Sequence, residues 1–160
     1  MNQTAIVAGG CFWGMEANFQ NLYGVLKTEV GYTGGHVEDP TYRQVCQETT
    51  GHVEAVRLEF DPGKVSYQEI VEAFFQYHDP TLCKDNCLSQ SNQYDSVIFT
   101  MDDEQNKIAR DVIKKLKRSG EYDCRVITSV RPASEFYLAE TYHQNYYVKH
   151  NISIDTDICC

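Results

Sequence analysis

The tightest constraint in this chain is a junction near its start. Ala5-Ile6-Val7-Ala8 is a short apolar run, Gly9-Gly10 breaks it, and Phe12, Met15, Phe19 and Leu22 then recur at helical spacing until Gly24. A buried strand that passes through two glycines straight into an amphipathic helix requires a sheet with helices packed on it. It also fixes the position of one residue, Cys11, where the strand becomes the N-terminus of the helix.

The same grammar continues downstream. Glu29–Tyr32 is a second strand before the Gly34-Gly35 turn, and a loop carries Asp39-Pro40-Thr41-Tyr42. His52–Phe60 is a strand with Val56, Leu58 and Phe60 on one face and Arg57 and Glu59 on the other. Ser66-Tyr67-Gln68-Glu69 is a capping box, opening a helix that turns Ile70, Val71, Phe74 and Tyr77 inward. Val97–Phe99 is a strand, Asp103–Arg118 a helix with Ile108, Val112 and Leu116 as its stripe, and Cys124–Val130 a further strand. Glu135–Tyr147 carries a helical pattern in a Tyr-rich stretch. Alternating but irregularly joined elements predict an α+β fold, a mixed sheet with helices packed against it. The 160 residues divide into a single domain over 1–150 and an irregular tail over 151–160 that ends in Cys159-Cys160.

Charge and cysteine usage narrow the class. With 14 basic and 23 acidic residues the net charge is −9, which disfavours a nucleic-acid partner. No apolar run reaches the length of a membrane span, and Met1–Gly10 lacks the basic and apolar regions of a signal peptide, so the expected setting is the cytoplasm. There, the seven cysteines are buried hydrophobes, metal ligands or redox groups rather than a disulfide framework.

Cys11 lies in Gly10-Cys11-Phe12-Trp13-Gly14. A helix N-terminus favours a thiolate, and two large aromatics beside it offer walls for a soft methyl-sulfur group. The competing reading is a small buried residue at a strand–helix junction. Glu54 shares the parity of Val56, Leu58 and Phe60, so its carboxyl points to the apolar face, where burial raises its pKa. The alternative is a surface carboxylate at a frayed strand start.

The chain resembles the A-type peptide methionine sulfoxide reductases. The resemblance is carried in order by Gly10–Gly14, Glu29–Gly35, Tyr42–Cys46, Thr50–Glu54, His78–Thr81, Gln93-Tyr94 and Ala139–Gln144. It implies a two-layer α+β sandwich with a ferredoxin-like core. It implies reduction of methionine-S-sulfoxide, with Cys11 as nucleophile, Glu54 as acid, and Tyr42 and Tyr94 as donors to the sulfoxide oxygen. Phe12 and Trp13 hold the methyl. The product on Cys11 is a sulfenic acid, which a second thiol converts to a disulfide for thioredoxin or another dithiol to reduce. Partners are then oxidised proteins or peptides and thioredoxin, with no bound cofactor or metal, and the chain is expected to act as a monomer.

One segment departs from the family pattern. Ser89 stands where the family has an Asp that contacts the substrate backbone, and Asp95 stands where Arg is usual. The same loop adds Cys83 and Cys87. By analogy, resolution of the Cys11 sulfenate falls to Cys159 or Cys160 ahead of Cys87 or Cys83. Cys46 and Cys124 are expected to be structural, with Cys124 buried. Three other readings are weighed: a zinc site built from Cys83, Cys87, Cys159 and Cys160, a non-catalytic binder of methionine or its sulfoxide, and a general thiol peroxidase or disulfide oxidoreductase. Adjacent cysteines suit a zinc tetrahedron poorly, and no Cys-x-x-Cys supports the last. His143 is given no chemistry.

Overall fold

The computed structural model describes residues 1–82 and 92–154. In chain order it contains β1 (Gln3–Ala8), α1 (Phe12–Gln20), β2 (Val25–Thr33), α2 (Tyr42–Cys46), β3 (Val53–Phe60), α3 (Tyr67–Gln76) and β4 (Thr81–Leu82). A 3-10 turn at Asn92–Tyr94 leads to β5 (Val97–Thr100), α4 (Asp103–Ser119), β6 (Arg125–Val126), β7 (Ser129–Pro132) and β8 (Phe136–Leu138). A second 3-10 turn at Thr141–His143 precedes α5 (Tyr146–Lys149).

The main sheet has the order β7-β5-β1-β3-β2-β8. Its heart, β5-β1-β3-β2, is antiparallel throughout, while β7 joins β5 in parallel. The connections β1-α1-β2 and β3-α3-β5 each cross over a neighbouring strand, which is the expected ferredoxin-like arrangement. Val56, Leu58 and Phe60 of β3, Ala5 and Val7 of β1, Phe12 and Phe19 of α1, and Ile70 and Phe74 of α3 form one core, all 1% exposed or less. Fully burying side chains of this size stabilises the fold by about 1.5–3 kcal/mol each.

The far face of the sheet is also partly apolar. Ile6, Ala8, Val53, Ala55, Val97 and Phe99 form a second cluster that Phe136 covers. Polar alternation on β3 therefore holds only at its distal end, where Arg57 pairs with Glu29 at 2.7 Å and lies 4.5 Å from the centre of the Phe136 ring.

Local signals set most boundaries. Ser66 accepts from the Glu69 N–H while the Glu69 carboxylate accepts from Ser66, so the capping box forms. Helix α4 starts on Asp102, whose side chain accepts from the Gln105 N–H, and stops at left-handed Gly120. Its buried line is Gln105, Ala109, Val112 and Ile113, so Ile108 and Leu116 sit at the margin of the stripe instead of its centre. Gln105 is buried at no loss because its amide donates to the Thr4 carbonyl and accepts from the Met101 N–H.

Three expectations need correction. The loop around Tyr42 is the short helix α2, capped by a Thr41/Gln44 box. The strand expected over Cys124–Val130 is two strands, because β6 pairs with β4 while β7 pairs with β5. The helical pattern over Glu135–Tyr147 is strand β8, a 3-10 turn and α5, since β8 is taken up as the edge partner of β2.

Candidate active site

Cys11 is the N-cap of α1, with an extended backbone (φ −63°, ψ 125°) and no side-chain capping bond. Its sulfur therefore sits at the positive end of a nine-residue helix. Gly10 reaches this position through φ +82°, a conformation that glycine adopts freely, and among the described residues nothing lies within 4 Å of where a β-carbon would project. Cys11 stands in the disulfide-bonded form.

Glu54 is 2% exposed and lies across from Tyr32 in the β2–β3 register. Its Oε2 accepts from the Phe12 N–H at 3.4 Å, which places the carboxyl over the first turn of α1, directly beside Cys11. Burial pushes it up to about 8, opposed by the hydrogen bond from Phe12. At neutral pH the group is mostly protonated and can donate.

Tyr42 opens α2 and Tyr94 closes the 3-10 turn; both are half-buried. Burial raises each phenol's pKa, and the Glu54 carboxyl raises both further, so all three groups lie within electrostatic reach of one another. Neutral phenols and a neutral carboxyl are hydrogen-bond donors around one small space. Phe12 is 1% exposed, with its ring centre 5.8 Å from Tyr32 and 5.1 Å from His143. Trp13 is half-buried and stacks on Tyr146 at 3.7 Å and 4°.

The structure places residues at the site to which the sequence assigned no role. His143 is fully buried and touches Phe12, Trp13 and Tyr42. Its Nδ1 accepts from Trp13 Nε1 at 2.9 Å, so the proton of the neutral ring is on Nε2. Burial lowers the His143 pKa, against the pull of Glu140, and the 3.5 Å approach of Nε2 to Glu140 Oε2 is not an ion pair of a charged ring.

Glu140 accepts from the Tyr42 N–H and from the Tyr32 hydroxyl, each at 2.8 Å. Burial opposes its charge, but these bonds outweigh it and hold the carboxyl below the usual range. The sequence signal for this group was the family-like segment Ala139–Gln144, which gave it no role, and nothing in the sequence pointed Tyr146 at Trp13.

The structure places Cys46 at the edge of the site, and it corrects the expected burial of Cys124. Cys46 is exposed, carries a free thiol, and bonds to Tyr42 and to the Gln93 amide (3.9 Å). It sits at the rim of the phenol pair rather than inside a core. Cys124 precedes β6 and is only half-buried, because this stretch joins a two-stranded side sheet instead of the main one; it is disulfide-bonded. Asp95 is half-buried, which raises its pKa against the pull of Arg131. Ser89, Cys83, Cys87, Cys159 and Cys160 lie outside the described residues. Among the described residues no cluster of three or more His, Cys, Asp or Glu is arranged to hold a metal.

A helix-cap cysteine in disulfide form beside a protonated carboxyl, on an α+β sandwich, defines the class of cysteine-dependent redox enzymes. The chain belongs to the peptide methionine sulfoxide reductase family, whose model matches residues 3–157. It is 48% identical over 147 residues to the peptide methionine sulfoxide reductase MsrA of Limosilactobacillus reuteri, covering 91% of this chain and 84% of that protein. To MsrA of Deinococcus radiodurans it is 48% identical over 145 residues, covering 91% and 70%. Among solved structures, methionine sulfoxide reductase A of Corynebacterium diphtheriae superposes with a TM-score of 0.78 at 31% identity, covering 99% of this chain and 82% of that one. Reduced Mxr1 of Saccharomyces cerevisiae gives 0.86 at 25% identity, covering 99% and 89%.

Proposed function

We propose that this chain reduces methionine-S-sulfoxide to methionine by thiolate attack of Cys11. The observation that carries the reading is the neutral, buried Glu54 carboxyl held over the first turn of α1, beside Cys11. The Cys11 thiolate attacks the sulfoxide sulfur. As the S–O bond breaks, Glu54 delivers a proton to the departing oxygen, and Tyr42 and Tyr94 donate hydrogen bonds to it. Phe12 and Trp13 hold the methyl group. The oxygen takes a second proton from solvent and departs as water, leaving Cys11 Sγ bonded to the substrate sulfur. Water then attacks Cys11 Sγ, the S–S bond breaks with both electrons going to the methionine sulfur, one proton is released, and the thioether leaves with Cys11 as sulfenic acid. A second thiol then attacks Cys11, forming a disulfide and releasing water.

The disulfide-bonded state of Cys11 fits the end of that sequence. Cys159 or Cys160 is our first assignment for the resolving thiol, with Cys87 or Cys83 second. Thioredoxin, or another dithiol, returns the electrons. The substrate is peptidyl methionine sulfoxide, with free methionine sulfoxide possible through the same cup. The enzyme works as a monomer in the cytoplasm; among the described residues no helix is long and apolar enough to cross a membrane.

Turnover of the separate S and R epimers with dithiothreitol tests the reading. Reduction of S alone, abolished in Cys11→Ser, is expected. Saturable sulfoxide binding without turnover would point to a binding module, and peroxide consumption without sulfoxide reduction to a thiol peroxidase. For the altered loop, Ser89→Asp is expected to lower KM for peptidyl sulfoxide; an unchanged KM removes that residue from recognition.

A further inference from the structure

Glu16 lies on α1 one turn beyond Trp13 and is 1% exposed. Its carboxylate is surrounded by donors. Oε1 accepts from the Thr28 hydroxyl of β2 at 2.9 Å, and Oε2 accepts from the backbone N–H of Asn145, also at 2.9 Å. Gln20, one turn further along α1, braces the same point: its amide donates to Thr28 Oγ1 at 3.1 Å and to Asn145 Oδ1 at 2.6 Å. Burial pushes the Glu16 pKa up, while Thr28, Asn145 and Lys149 act in the opposite sense.

Asn145 is a left-handed residue (φ +55°) between the turn that holds His143 and the helix that begins at Tyr146. Both neighbours clasp Trp13, His143 by accepting its indole N–H and Tyr146 by stacking on its ring. A buried carboxylate is costly unless its bonds do something that an apolar side chain of similar size could not. Here they fasten a strained turn to the helix that carries the aromatic wall.

We infer that Glu16 is a positioning residue for sulfoxide binding. By tying the Asn145 turn to α1 it keeps His143 and Tyr146 on Trp13, and so sets the width of the cup that receives the substrate methyl. Glu16 touches no substrate. The inference rests on the reading of the Cys11 cup given above.

Trp13 is the chain's only tryptophan, so its fluorescence reports the clasp directly and independently of turnover. In the full-length enzyme Glu16→Ala is expected to shift Trp13 emission to the red and to raise acrylamide quenching about twofold as Tyr146 leaves its ring. KM for a peptidyl methionine-S-sulfoxide should rise about tenfold, while the single-turnover rate at saturating substrate stays within about twofold. Glu16→Gln keeps one carbonyl oxygen for the Asn145 N–H and should recover most of both signals. If circular dichroism shows that Glu16→Ala does not fold, Thr28→Val carries the test. It removes one bond to the carboxylate, and the same changes should follow at smaller size. Emission and quenching identical to wild type in a folded variant overturn the inference, as does altered emission with KM unmoved. Should the wild-type enzyme prove inactive on sulfoxides, the catalytic reading falls, while the emission result still decides whether Glu16 holds the clasp.

Discussion

The Phe12 backbone N–H points at Glu54 Oε2 across 3.4 Å, joining the first turn of α1 to the third strand of the sheet. That contact holds Glu54 close to Cys11, because Cys11 precedes Phe12 and Glu54 is fixed on β3 opposite Tyr32. Among the described residues the Phe12 N–H is the donor that meets this buried carboxyl, so its surroundings are not wholly apolar.

The first prediction concerns pH and rate. Glu54 is protonated below about 8, so the rate of sulfoxide reduction should fall as pH rises through that value. Glu54→Gln should abolish this limb and lower the single-turnover rate by about 10²–10⁴-fold. A stopped-flow pH profile of both enzymes checks it; a wild-type rate that stays flat to pH 10 removes Glu54 as the proton donor.

Stability should show the same group with a definite sign. The Glu54 pKa is raised in the fold from an ordinary value of 4.5 to about 8. Its contribution is therefore fully present below 4.5 and is lost as pH rises to about 8. Glu54→Gln cannot ionise, so it should gain on wild type across that window, by a few kcal/mol at its upper end. Urea unfolding of both proteins at pH 5 and pH 9 measures the difference; equal stability offsets at both pH values would count against burial of the charge.

Gly10 separates strain from crowding. A β-carbon there meets nothing within 4 Å among the described residues, yet φ is +82°. Gly10→Ala should cost about 1–2 kcal/mol through backbone strain alone, and it should slow the attack step by tilting Cys11 from its place at the helix end. Denaturant midpoints and single-turnover rates test both halves, and a variant as stable as wild type would show that the turn has a second comfortable conformation.

Glu140 links three elements that bear on the cup. Glu140→Ala leaves the Tyr42 N–H and the Tyr32 hydroxyl without their acceptor, at a cost of about 1–3 kcal/mol for each buried donor left unpaired. With Tyr42 unanchored, kcat/KM should drop about tenfold or more. Glu140→Gln should be far milder. Its carbonyl still serves the Tyr42 N–H, and the Tyr32 hydroxyl can turn and accept from the amide. Similar losses in both variants would show that the charge of Glu140, and not its hydrogen bonds, is what matters.

Much of this protein was set by local sequence. Hydrophobic period and glycine placed Cys11 at a helix start, parity on β3 put Glu54 on the buried face, and the Ser66–Glu69 and Asp102–Gly120 signals bounded two helices. Such features depend on residues close together in the chain, where backbone geometry leaves few choices. The tertiary structure decided the rest. Residues 124–147 have ambiguous local patterns, and they became strands, turns and a short helix according to which sheet edge or aromatic ring was available. The clasp of His143 and Tyr146 on Trp13 joins positions about 130 residues apart, and a contact over that distance leaves no periodic trace.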